Sequence, residues 1–96
     1  MTCDELIQLL TERRGELEQF GVKTLAIFGS AARNEAGPDS DVDVLVEFTG
    51  PGTFDRYMGL KEFLENLLGR EVDLVTRKAL KPRLKPYVES EAVYVP

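Results

Sequence analysis

The apolar run Thr24–Phe28 ends in Gly29-Ser30, and after ten intervening residues the chain resumes as Asp41-Val42-Asp43 at the head of a second, alternating run. No other stretch constrains the chain as tightly. Val22 to Phe28 suits a strand covered on both faces, with Gly29-Ser30 as the turn out of it. From Asp41 the period is two: Asp41, Asp43, Leu45 and Glu47 share one face, and Val42, Val44, Val46 and Phe48 form the core face. Carboxylates two residues apart on a strand project to the same side, about 6–7 Å apart along the backbone. At that range they repel unless cations sit between them. A close turn beside two such acids is what a metal-bound triphosphate and displacement at phosphorus require. Gly29 lets the backbone approach the phosphates, and the Ser30 hydroxyl with nearby helix-terminal N–H groups can donate to them. Asp73 stands opposite Val72 and Leu74 on a third short strand, Glu71–Thr76, and adds a carboxylate able to bind a metal or accept a proton. Taken singly, an Asp-x-Asp pair suits a solvated strand edge as well as a metal site; the combination with the glycine turn and a third Asp is far more specific.

Composition narrows the chemistry. The chain has no histidine, which removes Ser-His-Asp and Cys-His catalysis and most zinc sites, and leaves carboxylates, hydroxyls, cations and backbone. Its one cysteine, Cys3, excludes an intrachain disulfide and sits on a helical apolar pattern as core filler. A lone thiol, no apolar run near 20 residues and no basic-then-apolar leader make a cytoplasmic protein without membrane contact the expectation. A net charge of −5 argues against direct nucleic-acid binding, which basic surface drives. It leaves nucleotides open, because a bound divalent ion inverts the local sign. At 96 residues the expectation is one small domain, 1–96.

The other elements follow from periodicity and punctuation. Thr2 or Asp4 can cap a helix carrying Cys3, Leu6, Ile7, Leu10, Leu17 and Phe20, weakest at Gly15 and stopped by Gly21. Ser30 suits the cap of a short helix, and Asn34–Ser40 a loop. Thr53 can cap a helix to Leu68 with an apolar stripe of Phe54, Tyr57, Leu60, Phe63, Leu64, Leu67 and Leu68, ended by Gly69. Within 77–91, Leu80, Leu84 and Val88 fit a helix that cannot hold both Pro82 and Pro86; 92–95 suits a closing strand. Arg33 can reach a triphosphate or pair with Glu35 or Asp39. Arg77, Lys78, Lys81, Arg83 and Lys85 form the only basic cluster, suited to a solvated face or to an acidic partner or phosphate, and Tyr57, Tyr87 and Tyr94 suit packing.

Phe28-Gly29-Ser30-Ala31-Ala32-Arg33, Ser40-Asp41-Val42-Asp43-Val44-Leu45-Val46 and Gly69-Arg70-Glu71-Val72-Asp73-Leu74-Val75-Thr76 together resemble the minimal nucleotidyltransferases (MNT) of the DNA polymerase beta superfamily, from about Leu6 to Val95. The resemblance implies an α/β (α+β) fold with a small mixed sheet of three to four strands flanked by helices. It implies magnesium, as two ions, on Asp41 and Asp43, with Asp73 as the third acid, metal ligand or base. Gly29, Ser30, Arg33 and Ser40 make up the nucleotide-binding set it implies, with Ser40 fixing the turn before Asp41 rather than reacting. Members this short are similar to antitoxins that move AMP from ATP to a tyrosine of a HEPN ribonuclease toxin, so a HEPN-type protein is the implied partner and an oligomer with it is conceivable. The alternatives are a non-catalytic module that covers a toxin, or transfer to a small molecule or RNA.

Overall fold

The computed structural model describes residues 1–96. In chain order it contains α1 (Cys3–Glu12), α2 (Arg14–Gln19), β1 (Val22–Phe28), α3 (Gly29–Ala32), β2 (Val42–Phe48), α4 (Phe54–Leu68), β3 (Val72–Thr76), a 3-10 turn (Arg77–Ala79), α5 (Lys85–Glu91) and β4 (Val93–Tyr94). The sheet is mixed, in the order β3-β2-β1-β4. β1 runs antiparallel to β2 and β4, whereas β2 and β3 are parallel, joined by α4 as the crossover.

Strand alternation builds two unequal layers. Leu25, Ile27, Val42, Val44, Val46, Val72 and Leu74 face Leu6, Leu10, Leu17, Leu60, Leu64 and Leu68 of α1, α2 and α4 in the main core. On the opposite face, Ala26, Leu45 and Leu80 form a small second core with Phe28, Val75, Val88 and Ala92 against it. Asp43 and Asp73 alternate with the main-core residues of β2 and β3 and so lie on this thinly covered second face.

Local chemistry explains most boundaries. Thr2 and Glu5 complete a capping box at α1. The Asn34 side chain also accepts from the Cys3 N–H, tying the helix start to the segment after α3. Thr53 accepts from the Arg56 N–H, and Gly69, at φ 67°, ends α4 in the left-handed region. Thr53→Ala is expected to cost about 1 kcal/mol by urea unfolding, the usual value of an N-cap hydroxyl.

The structure corrects several expectations. The single N-terminal helix breaks at Arg13, next to the helix-weakening Gly15, although Leu17 stays buried. α3 begins at Gly29 with Phe28 as its N-cap, so Ser30 lies inside the helix and caps nothing. Phe54, the first residue of α4, is 76% exposed and stands outside the core. Tyr87 and Tyr94 are exposed rather than packed. The two prolines do not share a helix, as expected: Pro82 precedes α5 and Pro86 occupies its first turn, where a missing N–H costs nothing.

Candidate active site

β1 ends where β2 and β3 begin, and this brings the site together. Phe28 lies opposite Asp43 on the antiparallel side, and Asp43 lies opposite Asp73 on the parallel side. Gly29, Asp43 and Asp73 therefore form a row across one end of the sheet. Asp41 leads into β2 one step earlier and is exposed, Asp73 is exposed, and Asp43 is half-buried.

Gly29 is required by more than the turn. Its φ of 68° is a left-handed conformation, and a Cβ there would lie 2.2 Å from Asp43 Oδ2. The Asp43 carboxylate thus rests directly on the glycine backbone. Burial, then the neighbouring charges of Asp73 and Asp41, push the Asp43 carboxyl above its usual range, while Arg33 pulls it down. Asp43 and the two carboxylates close enough to raise it make a donor set suited to a hard divalent cation, which prefers oxygen ligands. No group of three such side chains is gathered tightly enough to form a complete coordination shell, so the fit rests on the oxygen-donor chemistry of the row. The residues present fit magnesium.

The remaining predicted residues divide. The Ser30 carbonyl accepts from the Arg33 and Glu35 N–H groups, which closes the turn. Ser40 Oγ accepts from the Gly37 N–H at 3.1 Å, so it shapes the loop before Asp41 as expected. Arg33 lies near the acids but is held by Glu35, at 3.1 Å from Nε, and by Glu91. Its guanidinium joins α3 to α5 and would have to exchange partners to meet a phosphate. Arg70 was not singled out from the sequence: it donates to the carbonyls of Gly37 and of Ser40, the latter at 2.8 Å, and so holds the loop that delivers Asp41. Its position two residues before β3, alongside the start of β2, is visible only once those strands are known to be parallel. Cys3 is buried, its thiol pushed up by that burial, and Glu47, expected to be solvated, accepts from Thr24 and lies 3.9 Å from Lys23.

A mixed sheet with a glycine turn facing two register-paired acids defines a nucleotidyltransferase. The nucleotidyltransferase domain family matches residues 7–95, and the chain belongs to that family. Among its relatives, protein adenylyltransferase MntA of Thermococcus cleftensis is 44% identical, over 99% of this chain and 97% of that one. A solved minimal nucleotidyltransferase shares the fold with a TM-score of 0.85 at 38% identity, covering 97% of this chain and 95% of its own. A chain from a complex of tri-AMPylated Shewanella oneidensis HEPN toxin with MNT antitoxin also shares the fold, with a TM-score of 0.66 at 20% identity over 93% of this chain and 71% of its own. No helix is long and apolar enough to cross a membrane.

Proposed function

We propose that the protein is a magnesium-dependent adenylyltransferase that moves AMP from ATP to a tyrosine hydroxyl of a HEPN-type partner and silences it. The observation that carries the reading is the seating of Asp43 against Gly29 in register with Asp73, in a chain whose curated relative is named a protein adenylyltransferase. The acceptor oxygen attacks the α-phosphorus of ATP. The bond from that phosphorus to the oxygen bridging to the β-phosphate breaks, and pyrophosphate leaves.

Each residue then has a task. Gly29 and the α3 turn admit the phosphates close to the backbone, and Ser30 contributes its hydroxyl. Asp41, Asp43 and Asp73 would hold magnesium, which neutralises phosphate charge and makes the acceptor hydroxyl easier to ionise. As the alternative to holding metal, Asp73, exposed at the end of the row, would take the acceptor proton. Arg33 would release Glu35 or Glu91 to meet the triphosphate. The net negative charge of the chain supports a protein acceptor over RNA.

With ATP labelled on the α-phosphate and magnesium, a cognate HEPN-type protein should become labelled, at a tyrosine by peptide mapping. A chelator should abolish labelling and added magnesium restore it. Absence of label on an authentic partner with wild-type protein would overturn the proposal.

A further inference from the structure

The acid row occupies one end of the second sheet face; a cavity of about 570 Å³ occupies the other. It is lined by Glu47 and Phe48 from the end of β2, by Thr76, Arg77 and Lys78 after β3, and by Lys85 at the start of α5. Register places Leu45 opposite Val75 between this cavity and the Asp43–Asp73 row, with buried Leu80 packed over Leu45. The cavity is therefore separated from the acids by an apolar ridge and is not an extension of the phosphate site.

Its charge is opposite to that of the chain. Five of the twelve basic residues fall within 77–85, where there is no acid, while the whole protein carries −5. Arg77 is satisfied by Glu89 at 2.7 Å and by Tyr94, and Glu47 is engaged by Thr24 and Lys23. Lys78 and Lys85 form no ion pair, so two uncommitted ammonium groups line the cavity. The wall is built for space: a Cβ on Gly52 would meet the Phe48 ring at 2.8 Å. The second cavity of the molecule, along α1, is lined by Glu5 and Glu12 and has no basic side chain.

We infer that this basic cavity docks an acidic segment of the protein acceptor, and so selects hydroxyls that have carboxylates about four residues away. The inference rests on the proposed transfer to a protein and names what would guide it. Asp73 and Thr76, the last residue of β3 and part of the cavity lining, are three residues apart, about 10 Å along the strand, and the cavity opens just beyond, so about four extended residues of a bound peptide span the distance. An acidic segment is repelled by the rest of this surface, so a local basic cavity sets its register as well as its affinity. Phe48 supplies an apolar floor for the segment's side chains.

Fluorescein-labelled peptides test this without relying on turnover: tyrosine, a three-residue Gly/Ser spacer and two aspartates, in either order, against the same peptides with asparagines. The aspartate peptide is expected to bind wild type at least ~10-fold more tightly at low salt, with the advantage shrinking as salt rises. Lys78→Glu/Lys85→Glu should erase the advantage, while binding of a fluorescent ATP analogue stays unchanged. Should that variant fail to fold, Lys78→Gln/Lys85→Gln provides the same comparison. Equal binding of acidic and neutral peptides, or an advantage that survives the double substitution, overturns the inference. Loss of ATP binding in the double variant also overturns it, since the cavity would then serve the nucleotide. With labelled ATP, the same substitutions should raise KM for the partner protein and leave kcat in place. Peptide discrimination without label transfer would defeat the adenylyltransferase reading while leaving the dock intact.

Discussion

Asp43→Asn is expected to abolish nucleotidyl transfer, by about 10³-fold or more, while making the metal-free protein more stable at neutral pH. The first effect follows because a neutral amide contributes little to holding a divalent cation, whose contribution is worth several kcal/mol of barrier. The second follows from the direction in which Asp43 titrates. Its carboxyl is raised above the ordinary value of 3.8 by burial and then by Asp73 and Asp41. Between that ordinary value and the raised one, the folded protein binds more protons than the unfolded chain, so stability is lost as pH rises through the window and stays lost above it. Asparagine does not titrate, and the difference between wild type and variant isolates this one group. Thermal melts with chelator from pH 3 to 8 should show the variant gaining on wild type as pH rises. Magnesium should raise the Tm of wild type and leave the variant's nearly unchanged. A variant less stable than wild type at pH 7 without metal would show that Asp43 is structural rather than held at a cost for function.

Gly29→Ala has the second large effect, and it separates geometry from backbone strain. A non-glycine residue at φ 68° costs about 1–2 kcal/mol. The added methyl would also stand 2.2 Å from Asp43 Oδ2 and 3.2 Å from its Cγ, so the carboxylate must leave its place. A displacement of that order costs on the order of 10²-fold in a step that depends on positioning. Gly69 is the natural control: its φ is 67°, with nothing within 4 Å of the position a Cβ would take. Gly69→Ala should carry a similar stability cost and retain transfer. Similar transfer rates in the two variants would remove Asp43 seating from the account of Gly29.

The capped and punctuated parts of the chain were legible without coordinates. Thr53 and Gly69 bound α4 by local hydrogen bonding and left-handed backbone, and Val42, Val44 and Val46 are core because a period of two leaves them no other face. The exposure of Phe54, at the first position of α4, was not legible because helical periodicity reports the direction of the stripe and not how far along the helix the packing extends. The N-terminal helix was read as one piece because Gly15 is a modest penalty, and only packing of Leu17 against the sheet shows where the chain bends.

For the site, the spacing of Gly29, Ser30, Asp41 and Asp43 already determined the class of chemistry: alternation puts both acids on one strand face, and glycine alone suits so close a turn. Only the tertiary structure decided what that spacing serves. Antiparallel pairing of β1 with β2 and parallel pairing of β2 with β3 bring residues 28, 43 and 73 into one row, a relation that no local rule contains. The same pairing seats Asp43 on Gly29, commits Arg33 to α5, and sets Arg70 to hold the loop before Asp41. Sequence periodicity states which side a residue faces; register, set by the packing of the whole sheet, decides what it faces.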